Sequence, residues 1–83
     1  MSALKFYPVI VDNIAVTVEP HHLRSLFSNV GHVIDVVIVS NHGFVNMESV
    51  MDARDAINSI NGVTLHNNLL HVDYSEELKQ YLE

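Results

Sequence analysis

"HVIDVVIVSNHGFVNME" (residues 32–48) is the stretch on which the fold turns. Its first half, 32–40, is almost continuously β-branched, the composition of a strand. Its second half alternates, so that His42, Phe44 and Asn46 share one face and Val45 and Met47 the other. Ser40-Asn41 lies between the halves as a short connector. Two strands joined this closely point to a hairpin at the middle of the chain.

Working outward, each flank carries a helix and then a strand. Upstream, "EPHHLRSLFSNVG" (19–31) repeats Leu23, Leu26, Phe27 and Val30 at helical spacing. Pro20 suits a first helical turn and Gly31 reads as the stop. Before it, "PVIVDNI" (8–14) is an apolar strand that ends at the turn-favouring pair Asp12-Asn13, with Pro8 at its entrance where a missing donor is tolerated. Downstream, "SVMDARDAINSING" (49–62) sets Ala53, Ala56, Ile57 and Ile60 on one stripe. Ser49 is placed to cap it, with Asp52 three residues on. "LHNNLLHVDYS" (65–75) supplies a turn at Asn67-Asn68 and a last strand. The tail "EELKQYLE" (76–83) spaces Leu78, Tyr81 and Leu82 for a short amphipathic third helix.

The order is β-α-β-β-α-β. That split pattern predicts an α+β, ferredoxin-like sandwich: a four-stranded antiparallel sheet with two helices on one face and the other face open. Eighty-three residues are read as one domain, 1–83. A chain of this size buries only about 60–65% of the surface its unfolded form exposes. No linker or solenoid repeat interrupts the pattern.

Composition narrows the function classes. Cysteine is absent, so neither a disulfide framework nor a thiolate metal site can form. No apolar run approaches the roughly 20 residues that span a bilayer, and the first residues lack a basic-then-apolar secretory pattern. The expectation is an intracellular protein, nuclear or cytoplasmic, with no membrane contact. Four basic residues (Lys5, Arg24, Arg54 and Lys79) face ten acidic ones, a formal charge of −6. Affinity for phosphate comes largely from Lys and Arg, so this balance predicts a weak grip on nucleic-acid backbone.

Five stretches, in register, resemble the RNA recognition motif over about residues 8–75. "VIVDNI" (9–14) is similar to the family's first short signature and "NHGFVNM" (41–47) to its second. "LRSLFSNVGHV" (23–33) and "DARDAINSING" (52–62) resemble its helices, and "LHNNLLHVDYS" (65–75) its last strand. In that family, bases stack on exposed aromatics of the two central strands. The resemblance places the first stacking position at Ile10, which is aliphatic. In the second signature the leading basic position falls at Ser40, the first aromatic at His42 and the second at Phe44. Only Phe44 keeps the family's residue type.

Strand alternation turns Val9, Val11, Val45, Met47, Leu70 and Val72 toward the helices. The open face then shows Ile10, Asp12, His42, Phe44, Asn46, His71 and Asp73, with Val37 and Val39 from the second strand and no Lys or Arg. An aliphatic face rimmed by carboxylates suits a polypeptide. The leading expectation is therefore a non-enzymatic module for protein–protein assembly within a ribonucleoprotein or RNA-processing complex. Its interface candidates are Ile10, Val37, Phe44, Val50, Met51, Leu78, Tyr81 and Leu82. The cover is either the chain's own tail folded back or a second polypeptide, an identical copy included. The alternative is weak single-stranded RNA binding through His42, Phe44 and Asn46.

Catalysis finds no support: there is no Gly-rich phosphate loop and no nucleophile motif. The histidines lack the i, i+4 pair with a carboxylate that metal-dependent hydrolases place on a helix. Adjacent His21 and His22 are expected to point apart. No metal, small-molecule cofactor or catalytic residue is expected.

Overall fold

The computed structural model describes residues 4–83. The elements run β1 (Tyr7–Asp12), α1 (Pro20–Ser28), β2 (Val33–Val39), β3 (His42–Met47), α2 (Val50–Ile60), β4 (Thr64–Leu65), β5 (Asn68–Leu69), β6 (His71–Tyr74) and α3 (Glu76–Leu82). β2, β3, β1 and β6 lie side by side in that order, antiparallel throughout. The fold is the α+β sandwich expected: α1 and α2 cover one face and the other is open.

The predicted hairpin is real. Val39 pairs with His42, so Ser40-Asn41 is a two-residue connection, and Ser40 takes the left-handed conformation (φ 56°) that such tight turns need. β2 and β3 bury a common face because their alternation is in phase from Val36 to Val39. Toward the start of β2 a bulge between Val33 and Asp35 shifts the register and leaves Ile34 exposed.

The six strand residues expected to point inward are all buried, and Leu23, Phe27, Ala53, Ala56 and Ile60 close over them from the helices. Each large side chain sealed this way contributes about 1.5–3 kcal/mol through apolar burial. Gly43 sits on this inner face. A Cβ there would lie 2.7 Å from Ile14 Cδ1 and 3.0 Å from Leu23 Cδ1, so the glycine of "NHGF" is what lets α1 approach the hairpin.

α2 starts as its sequence suggests, with Ser49 Oγ accepting the Asp52 N–H at 3.0 Å. α1 starts differently: the Glu19 N–H donates to His22 Nδ1 at 2.9 Å.

Four expectations need correction. The turn after α2 is at His66-Asn67 (φ 50° and 70°) rather than Asn67-Asn68, and it closes a separate β4–β5 hairpin. Asn67, tolerant of left-handed backbone, takes the second place in the turn rather than the first that its tandem with Asn68 suggested. Gly31 is not a left-handed helix stop. α1 ends at a right-handed Asn29 cap, and Gly31 is small because Asp52 crosses it, within 2.9 Å of where its Cβ would be.

The third correction concerns the tail. α3 forms, but Leu78 is fully buried in the main core rather than laid over the open face. α3 packs beside β1 and β6, with Ser75 capping it through the Leu78 N–H at 3.2 Å. The Tyr81 ring meets Tyr7 edge-on at 5.7 Å, and Tyr7 shares the inward parity of Val9. One helical turn suffices to carry Leu78 into the gap at the end of the sandwich, which apolar burial favours over a solvent-facing strand surface.

The fourth concerns His21 and His22. Their rings lie 4.1 Å apart, because both side chains turn back toward Glu19 at the helix start. No helix among the described residues is long and apolar enough to cross a membrane.

Candidate nucleic-acid interface

The strand ladders arrange the open face in three rungs. The central rung runs Val37, Phe44, Ile10, Asp73 across β2, β3, β1 and β6. On one side of it lie Val39, His42, Asp12 and His71. On the other lie Asp35, Asn46 and Pro8, closed by the Ser75 N–H, which donates to the Pro8 carbonyl at 3.2 Å. Two of the five interface candidates from the strands and α2, Val50 and Met51, are on α2 and belong to the opposite layer. Ile10, Val37 and Phe44 are brought together as expected. Tyr81 and Leu82 are exposed at the end of the sandwich, and Leu78 is unavailable.

Phe44 sits between Val37 and Ile10, with 36% of its surface exposed. Such a ring, framed by aliphatics and still open, is a platform for a flat apolar group. His42 is tied to the next strand: His42 Nδ1 and Asp12 Oδ1 are 2.5 Å apart. A carboxylate oxygen only accepts, so Nδ1 donates and the imidazole is held in place by Asp12. Asn46 lies one rung below Phe44, half-buried, and helps line a hollow.

The face is not free of cations. Lys79 reaches back from α3, and its Nζ lies 3.1 Å from Asp73 Oδ2. Sequence spacing could not place it, because Lys79 belongs to the face only once α3 turns after Ser75. Partial burial pushes the Asp73 carboxyl up, but the hydrogen bond from Lys79, the Tyr74 N–H and the nearby positive charge outweigh it and hold the group below its ordinary value. Lys79 is raised in turn, first by its hydrogen bond to Asp73 and then by that carboxylate's charge. Arg24 is committed elsewhere, donating to the Val33 and Ile34 carbonyls at 3.4 and 3.3 Å.

A hollow of about 350 Å³ opens beside Phe44, lined by Phe6, Pro8, Phe44, Asn46, Ser75, Glu76 and Glu77. Phe6, Glu76 and Glu77 were missed by sequence reasoning. The available signal was an aromatic two residues before Pro8, on the approach to β1.

Elsewhere, His32, Glu48 and Asp52 bring ligand atoms within 4.8 Å of one another, the single grouping of that kind among the described residues. His32 and Glu48 are exposed, and their 3.3 Å approach is a surface contact between two solvated side chains. The His22 and His66 rings meet edge-on at 4.7 Å, and His66 Nδ1 is 2.8 Å from Thr17 Oγ1. Neither group lies on the open face.

Comparison with known proteins agrees with this geometry. The family model "RNA recognition motif" matches residues 9–71. RNA-binding protein lark of Drosophila melanogaster is 34% identical over 67 residues, covering 81% of this chain and 19% of that protein. The chain thus spans about a fifth of that relative's length. The Sex-lethal RNA recognition domains 1 and 2 of Drosophila melanogaster superpose with a TM-score of 0.81 at 27% identity, covering 84% of this chain and 50% of that one. A solved Sxl-lethal protein–RNA complex gives a TM-score of 0.80, also at 27% identity, over 83% of this chain and 46% of that one. With the β-α-β-β-α-β order, the open four-stranded face and Phe44 at its centre, the chain belongs to the RNA recognition motif family.

Proposed function

We propose that this domain binds single-stranded RNA through the open face of its sheet. The observation that carries the reading is Phe44, exposed at the centre of that face between Ile10 and Val37. Family membership and a relative named for RNA binding support it, and they reverse the order set by the charge balance, which put protein assembly first. A base stacks on Phe44, His42 offers a second, smaller ring, and Asn46 offers amide hydrogen bonds. Stacking of this kind is worth about 1–3 kcal/mol per base and tolerates different sequences. Asp12 and Asp73 oppose phosphates, and Lys79 offsets one of them. Affinity is therefore modest and depends little on salt. No catalytic step is part of this reading; the domain acts inside the cell, in the nucleus or cytoplasm.

The test is fluorescence anisotropy of a labelled single-stranded RNA decamer at low salt, with wild type and Phe44→Ala. Saturable micromolar binding that weakens about fivefold or more in the variant is expected. Absence of binding at high micromolar protein, or indifference to Phe44→Ala, contradicts the reading.

Contact with a protein is a second reading, favoured by a separate observation. Edge strand β2 leaves Ile34, Val37 and Val39 exposed together near the bulge and hairpin. This is the surface on which a partner, or a second copy, would bury apolar area beside bound RNA.

A further inference from the structure

We propose that RNA binding on the open face takes up a proton at His42, whose imidazolium Nε2–H then holds a phosphate of the strand stacked on Phe44. This rests on the RNA-binding reading and adds to it a phosphate contact and its regulation by pH. Among the described residues, each Lys and Arg is committed or distant. Lys79 Nζ is held by Asp73 at 3.1 Å, and Arg24 donates to the Val33 and Ile34 carbonyls. Arg54 is on α2, in the opposite layer, 3.7 Å from Asp55. Lys5 precedes β1, at the other end of that strand from Asp12. What the face does carry is imidazole: His42 and His71 share a rung with Asp12 between them.

Asp12 decides what His42 can do. A carboxylate oxygen only accepts, so the 2.5 Å contact engages the proton on Nδ1. A neutral imidazole has a single N–H, and here it is committed to Asp12. Nε2 is then a bare lone pair, which a phosphate oxygen opposes. Adding a proton leaves the bond to Asp12 in place and turns Nε2 from an acceptor into a charged donor. The two nitrogens lie on different sides of the ring, so Nε2 is directed away from Asp12, and 53% of the side chain is exposed. The switch is a change of hydrogen-bonding role at one atom and needs no rearrangement of the strands.

The surroundings let that charge be felt. β1 contributes Asp12, and β6 contributes His71 and Asp73, the latter engaged by Lys79 from α3. β2 contributes the apolar Val37 and Val39, with its Asp35 two rungs away. With His42 neutral, the His42–Asp12 pair carries the carboxylate's charge and repels a phosphodiester. With His42 protonated, the pair has no net charge and presents a donor. Phe44 is two residues along β3 on the same face, about 7 Å from His42. A base on Phe44 and the phosphate beside it span a comparable distance. Imidazole changes charge between about pH 5 and 8, so the coupling acts in the physiological range.

Anisotropy with the labelled decamer at about pH 8 and about pH 6 tests this, with wild type, His42→Gln and His71→Gln. Wild type is expected to bind about fivefold or more tighter at the lower pH. The slope of log affinity against log salt should steepen there by about 0.7, the value for one phosphate contact on a single strand. His42→Gln should bring the ratio of affinities below about twofold and remove the added slope, whereas His71→Gln should keep both. The two side chains are exposed, and thermal melts matching wild type confirm that the variants fold. In the free protein under alkaline conditions, nitrogen NMR should find the neutral His42 ring protonated at Nδ1. Four results each overturn the proton coupling and leave the RNA-binding reading intact: equal wild-type affinity at the two pH values, a ratio that survives His42→Gln, a ratio that His71→Gln abolishes, or a neutral ring protonated at Nε2. Failure of wild type to bind at both pH values overturns both readings.

Discussion

His42 on β3 and Asp12 on β1 face each other across the sheet, Nδ1 to Oδ1 at 2.5 Å. One contact thus joins the two strands that carry the family's signatures. It orients a ring on the open face and places a carboxylate beside it. The two effects oppose each other for a phosphodiester. Asp12→Asn keeps an oxygen acceptor and removes the charge. The expected result is RNA affinity raised about two- to fivefold at low salt, with the gain fading as salt screens it. Unchanged affinity at low salt would show that the strand does not pass over this rung.

Leu78 belongs to the core and not to the docking surface. Leu78→Ala should cost about 2–5 kcal/mol of stability, as for other fully buried leucines, read as a lower urea midpoint with the slope unchanged. Leu82→Ala, four residues on and exposed, should shift the midpoint little. Equal effects of the two would contradict the packing of α3.

Gly43 tests the close approach of α1 to the hairpin. Gly43→Ala places a methyl 2.7 Å from Ile14 Cδ1 and 3.0 Å from Leu23 Cδ1. Both contacts are with the ends of flexible side chains, so the core yields rather than breaks, and a loss of about 1–3 kcal/mol is expected by denaturation. A neutral or stabilising result would mean that the helix stands off further than it does here.

The Asp73–Lys79 pair gives a pH signature. The Asp73 carboxyl is lowered on folding, so its contribution is present above its unfolded value, about pH 4, and is lost as pH falls through the lower folded value. Lys79 is raised, so its contribution is present below about pH 10 and is lost as pH rises through the folded value. Lys79→Gln should remove the alkaline edge and weaken the acid one, because the Tyr74 N–H still holds Asp73. The pair is 43% and 45% exposed, so its contribution is small and shrinks in salt. NMR titration of Asp73 in wild type and Lys79→Gln reads it directly: the carboxyl should titrate at higher pH in the variant.

Much of this was legible in the residues. Val9, Val11, Val45 and Met47 alternate without interruption, and one buried face fixes their register, so the sheet and its inner side could be read off directly. Phe44 and its neighbours followed from the same alternation. What could not be read depends on how segments turn relative to one another. Leu78, Tyr81 and Leu82 share one helical stripe, and nothing in their spacing tells whether that stripe meets the core or the open face. Lys79 joined the face, and Phe6 the hollow, only through the direction taken by the chain outside the strands. Gly31 looked like a helix stop because the residue that crowds it, Asp52, is 21 positions away.

The central claim is that RNA lies on the rungs around Phe44. Titrating single-stranded RNA into isotope-labelled protein, and following backbone amide signals, tests it most directly. The predicted result is that Ile10, Val37, His42, Phe44 and Asp73 shift progressively and saturate together, while Val50 and Met51 on the helical layer stay still. Shifts confined to α2, or none anywhere at millimolar RNA, would contradict it.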